Sequence, residues 1–88
     1  MFFLPISQTP LNQHSIRLIE FWLNQLGAEL SEEDPCLWIL QKAEWIAEIK
    51  IGQKELSVVW DESGRKKQCS FSYGLSREDI ETALMQGP

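Results

Sequence analysis

The sequence predicts a small α+β domain: a helix, a four-stranded antiparallel β-meander and a second helix, with both helices packed on one face of the sheet. Three observations predict it. An amphipathic stripe with helical spacing lies near the start, four short runs rich in β-branched and aromatic residues follow one another across turn-sized gaps, and a second helix start stands near the end. A chain of 88 residues has core enough for one such packing and no surplus for a second, so residues 1–88 form a single domain. Its parts are an extended segment over residues 1–13, a helix over 14–27, the sheet over 36–73 and a C-terminal helix over 76–86.

From Ser15 to Leu26, Ile16, Ile19, Leu23 and Leu26 recur at steps of three and four. Leu18 and Trp22 widen the stripe, and Arg17, Glu20, Asn24 and Gln25 stand opposite. Asn12 or His14 caps this helix on the sequence reading, and Gly27 ends it by adopting positive φ. Ala28 to Pro35 is polar and acidic and reads as a loop. Cys36 to Gln41, Glu44 to Ile51, Lys54 to Trp60 and Lys66 to Tyr73 then supply the strands.

Register follows from the hydrophobic pattern, because a slip of one residue turns every side chain to the wrong face. With Lys42-Ala43 as a two-residue loop, Leu40 faces Trp45, Trp38 faces Ala47 and Cys36 faces Ile49. With Gly52-Gln53 as the next loop and Gly52 at positive φ, Ile49 faces Leu56, Ala47 faces Val58 and Trp45 faces Trp60. A longer turn over Glu62 to Arg65 sets Val58 beside Cys69 and Leu56 beside Phe71. These residues form the expected core, closed by Ile80, Ala83 and Leu84 of the last helix. That helix opens at Ser76-Arg77-Glu78-Asp79, with Ser76 as cap and the two acids against the positive end of the helix dipole.

The other sheet face carries Glu44, Glu48, Lys50, Glu55, Ser57, Gln68, Ser70 and Ser72, with Lys50 opposite Glu55 and Asp61 opposite Lys66. In the same register Ile39, Ile46 and Val59 line up across three strands, with Leu37 diagonal to them. An apolar strip on a polar face is the candidate partner surface; the alternatives are the ordinary β-propensity of branched residues on a solvent-facing sheet, or coverage by the apolar segment Met1 to Ile6.

Chemistry-bearing residues are few. His14 is the one histidine and no Cys stands at metal-ligand spacing from it, so no metal site is expected and a turn-stabilising hydrogen bond is its expected role. Glu32, Glu33 and Asp34 are consecutive, without the alternating spacing of a calcium loop, and read as solvated. Cys36 and Cys69 belong to the first and last strands of the meander, about three strand spacings apart, and are expected to be free thiols. Arg65-Lys66-Lys67 is the basic cluster, expected to be a charged turn that guards a strand edge. The tryptophans Trp22, Trp38, Trp45 and Trp60 are expected in the core, not on a stacking surface.

Of the residues 43% are hydrophobic and 24% charged, and the net charge of -5 repels a phosphate backbone at long range. Nucleic acid is therefore an unfavoured partner. No apolar run approaches the roughly 18 residues of a membrane span, and the opening residues lack the basic start of a signal peptide, so membrane insertion is not expected and the cytoplasm is the expected compartment.

Thr9-Pro10-Leu11 with His14, Ile19-Glu20-x-Trp22-Leu23 with Leu26-Gly27, Trp38, Glu44-Trp45 with Ala47-Glu48, and Phe71-x-Tyr73-x-Leu75-Ser76-Arg77-x-Asp79 through to Gly87-Pro88 form a set of motifs. Together they resemble a small cyanobacterial and plastid family, domain of unknown function 3143. The resemblance covers nearly the whole chain and departs at Ser15, where it leads one to expect proline. It brings no catalytic motif, and it implies a phototroph's cytoplasm with a link to photosynthetic machinery. The expected function is a non-enzymatic protein–protein interaction or assembly module without a cofactor, meeting another protein or a second copy. The rival from another class is an RNA-binding domain of double-stranded-RNA-binding topology, which contacts phosphates from the start of its second helix; here that start is acidic.

Overall fold

The computed structural model describes residues 8–88. The expected extended segment over residues 1–13, and its coverage of the outer sheet face, therefore fall largely outside the described residues. A 3-10 turn, Leu11–Gln13, leads into helix α1, Ile16–Gln25. Strands β1 (Glu29–Leu30), β2 (Leu37–Gln41), β3 (Ile46–Ile51), β4 (Glu55–Glu62) and β5 (Arg65–Ser72) follow, and helix α2 (Arg77–Gln86) closes the order. The strands form one antiparallel sheet in the order β1-β2-β3-β4-β5.

The sheet thus has five strands where the sequence suggested four. The stretch read as a loop begins with β1, which pairs Glu29 with Ile39 and Leu30 with Trp38. Gly27 at φ +99° reverses the chain after α1, Ala28 is buried, and Ser31 N donates to Leu37 O at 2.8 Å. Two residues are too few to show a strand period, so only the partner strand reveals this one.

Helix α1 is capped by Ser15, whose hydroxyl accepts from Leu18 N at 3.2 Å, not by Asn12 or His14. The departure at Ser15 thus supplies the cap. Ile16, expected in the core, is 55% exposed, and Leu11 of the preceding turn is fully buried in the core cluster instead. Ile19, Trp22 and Leu23 are buried as expected, with Leu26 half-buried against them.

Two hairpins differ from the expected register, each by two residues. Leu40 faces Ala47 and Trp38 faces Ile49, because the first turn is built on Ala43-Glu44, with Lys42 N donating to Trp45 O at 2.9 Å. Trp45 therefore lies in the hairpin loop rather than between Leu40 and Trp60. It is still buried, at 9% exposed. In the second hairpin Ile51 faces Leu56, Ile49 faces Val58 and Ala47 faces Trp60, around Gln53-Lys54. Gly52 does not have positive φ; a Cβ there would stand 2.7 Å from Glu55 O, so the position needs glycine for space. A shift of two preserves the faces, which is why the alternation alone did not reveal it.

The third hairpin pairs Val58 with Cys69, Leu56 with Phe71 and Asp61 with Lys66 as expected. Its pairing runs on to Glu62 and Arg65, so the turn is only Ser63-Gly64, at φ 52° and 87°, and not the longer loop expected. Lys50 faces Ser57 instead of Glu55 and makes its ion pair with Asp34 at 3.5 Å. Cys36 precedes β2 and is exposed rather than inward, because Asp34 Oδ1 accepts from its N–H at 2.9 Å in a turn after which the strand begins.

The buried cluster joins Trp38, Leu40, Trp45, Ala47, Ile49, Leu56, Val58, Trp60 and Phe71 with Ile19, Trp22 and Leu23 of α1 and Ile80 and Leu84 of α2. Cys69, Ile51, Tyr73 and Ala83 are half-buried against it. Leu11 and Ala28 complete the cluster and were not legible as core in the sequence.

Candidate functional site

The outer face of the sheet is set by register. Ile39, Glu48, Val59 and Gln68 form one cross-strand row, Leu37, Lys50, Ser57 and Ser70 a second, and Gln41, Ile46, Asp61 and Lys66 a third. Ile39 is 37% and Ile46 41% exposed, while Leu37 and Val59 are half-buried. All four expected surface residues thus lie on this face. They do not form the continuous strip expected: Glu48 stands between Ile39 and Val59, and Ile46 lies two residues along, beside Asp61. The two-residue shift of both hairpins is the cause. The face is a mosaic in which apolar residues sit diagonal to one another among Glu48, Lys50, Asp61 and Lys66.

The edge of this sheet at β5 is long. Its eight residues pair with β4 without interruption, and its first three, Arg65, Lys66 and Lys67, are exposed. The opposite edge, β1, is two residues long.

At the other end of the chain, His14 is buried at 7% exposure and its Nδ1 lies 3.2 Å from Pro10 O, closing the 3-10 turn. Its Nε2 has no hydrogen-bond partner among the described residues. A groove of about 300 Å³ beside it is lined by Leu11, Asn12, Ile16, Ile51 and Tyr73. The Tyr73 hydroxyl donates to Gly52 O at 2.6 Å. Burial pushes the phenol's pKa up, and the nearby negative charge of Glu55 adds to the rise. Neither side chain meets a carboxylate or a nucleophile in the hydrogen bonds these residues make, and the histidine serves the turn.

The remaining candidates have local roles. Asp34 holds Cys36 N and Lys50, and Ser31 Oγ accepts from Glu33 N at 3.2 Å. Among the described residues no three His, Cys, Asp or Glu side chains converge as metal ligands. Cys36 and Cys69 are free. The tryptophans are all at most 9% exposed, so none offers an open face for a base to stack on. Trp22 Nε1 donates to Glu81 Oε1 at 2.7 Å, which ties α1 to α2. The start of α2 holds Glu78 and Asp79, with Ser76 Oγ accepting from Asp79 N at 3.1 Å. No helix of the described residues is long and apolar enough to cross a membrane.

The mosaic face was not readable from the pattern. The edge strand was, over Lys66 to Tyr73, with the basic cluster placed in or beside its turn and continuing into it.

Comparison with curated proteins and with solved structures found no match. A family model does match residues 26–87, from the end of α1 through the whole sheet and α2. The chain belongs to the family of proteins of unknown function DUF3143.

Proposed function

We propose that this domain is a non-enzymatic protein-interaction or assembly module that meets its partner with the outer face of the sheet. Ile19, Trp22 and Leu23 of α1 and Ile80 and Leu84 of α2 share one buried cluster with the inward strand residues, while the outer face presents Ile39 and Ile46, 37% and 41% exposed, beside Leu37 and Val59. That presentation is the observation that carries the reading. Apolar side chains spaced among Glu48, Lys50 and Asp61 suit a contact with a mixed apolar and charged protein surface, whose anchors fill the gaps between charges. The setting implied by the family resemblance is the cytoplasm of a phototroph.

The test is Ile46→Lys. Lysine there stands opposite Asp61, so it adds a favourable cross-strand pair while placing a charge in the contact. Affinity purification from the native cell is expected to recover a partner with the wild-type chain and lose it with the variant, at an unchanged melting temperature. Equal recovery by a folded Ile46→Lys protein would remove the outer face from consideration. Filter binding to duplex RNA at two salt concentrations separates this function from RNA binding, which would show retention falling steeply with salt.

A further inference from the structure

We propose that the free edge of β5 is a docking site for an extended acidic segment of a partner protein, which adds to the sheet as a sixth, antiparallel strand. The two-residue turn makes Glu62 and Arg65 a hydrogen-bonded pair, so alternate residues Arg65, Lys67, Cys69 and Phe71 turn their backbone groups to β4. Lys66, Gln68 and Ser70 turn theirs outward, and no strand among the described residues pairs with that side. Two of the usual obstacles are missing from the edge, which contains no proline and whose register has no bulge over a length of eight residues. What it has is charge confined to one half. Arg65, Lys66 and Lys67 are three of the chain's eight basic residues, are exposed, and make no ion pair among the described residues.

These features select the occupant. Outward donors and acceptors recurring every second residue are matched by another β-strand, and a phosphate backbone offers acceptors only. The chain's net charge of -5 further disfavours nucleic acid. A second copy pairing β5 to β5 would bring basic residues that find no acid on the edge. A partner strand with carboxylates opposite Arg65 to Lys67 and uncharged residues opposite Gln68 to Ser70 satisfies both halves. In the antiparallel sense its acidic part is C-terminal.

The inference concerns a different surface from the outer face, and Ile46→Lys leaves the outward backbone groups of β5 in place, so loss of peptide binding with Ser70→Pro and loss of the partner with Ile46→Lys are separate outcomes. The probe is a fluorescein-labelled peptide, Thr-Val-Thr-Val-Glu-Glu-Glu, followed by anisotropy. Binding is expected to weaken roughly tenfold with Lys66→Glu/Lys67→Glu, and several-fold as salt rises from about 0.05 to about 0.5 M. Ser70→Pro removes an outward N–H without taking a bond from β4, and should abolish binding in a folded protein. On binding, the amides of Lys66, Gln68 and Ser70 should slow in hydrogen exchange. No binding up to about 1 mM peptide, equal binding of a Lys-Lys-Lys analogue, displacement by duplex RNA with no protection of these amides, or dimerisation through β5 in sedimentation would each overturn the proposal.

Discussion

Glu81→Leu should destabilise the domain by removing the acceptor that Trp22 requires. The indole of Trp22 is 1% exposed and its N–H reaches Glu81 Oε1 at 2.7 Å, across the gap between α1 and α2. A hydrogen bond to a charged group contributes about 1.5 to 3 kcal/mol, and an indole N–H left buried without a partner costs a similar amount. Glu81 is half-buried, so solvent screens its charge and the lower end applies. A loss of about 1.5 kcal/mol lowers the melting temperature of a domain this size by roughly 6 to 12 °C. Thermal unfolding by circular dichroism reads this directly. Trp22→Phe and the double variant complete a cycle: once the donor is gone, losing Glu81 should cost only a few tenths of a kcal/mol. Trp60→Phe is the control, since Trp60 Nε1 has no partner among the described residues and only packing is lost. A Glu81→Leu melting point within about 2 °C of wild type, or strictly additive variants, would refute the reasoning.

Gly87→Ala should lower stability by about 1 kcal/mol or more, because Gly87 has φ +81° and a Cβ there would run into the Trp45 indole; an unchanged melting temperature would show that this contact is not part of the core. Tyr73 makes the domain sensitive to alkali. Its pKa is raised in the folded state by burial, so its contribution is intact below about 10, the unfolded value, and is lost as pH rises through the folded value. Unfolding by denaturant across that range should show stability falling with pH, and Tyr73→Phe should flatten the fall while costing about 1 kcal/mol at neutral pH. Alkylation of the native protein should label Cys36 rapidly and Cys69 more slowly, with two labels after denaturation without reductant; a disulfide would contradict the separation of their strands.

Much of this molecule is legible in its sequence because periodicity reports which way side chains point. The alternation over Trp38 to Phe71 sends Trp38, Ala47, Ile49, Val58 and Phe71 inward, and they are buried; the spacing of Ile19, Trp22 and Leu23 orients α1 in the same way. Alternation has a period of two, so it cannot distinguish registers that differ by two residues. That choice was made by tertiary packing. Trp45 folds back in the first hairpin loop against Gly87, and the close approach of Gly52 to Glu55 moves the second turn along by one position. The consequence is functional, since the same shift places Glu48 between Ile39 and Val59 and turns an apolar strip into a mosaic. Elements too short to have a period were likewise decided in three dimensions: β1 exists because β2 lies beside it, and Leu11 occupies core volume that leaves Ile16 outside. The sequence alone therefore determined the α+β class with its antiparallel sheet, the two faces of that sheet and the family. Which residues stand side by side on those faces, and which edge remains open, depended on contacts between residues far apart in the chain, which local periodicity does not encode.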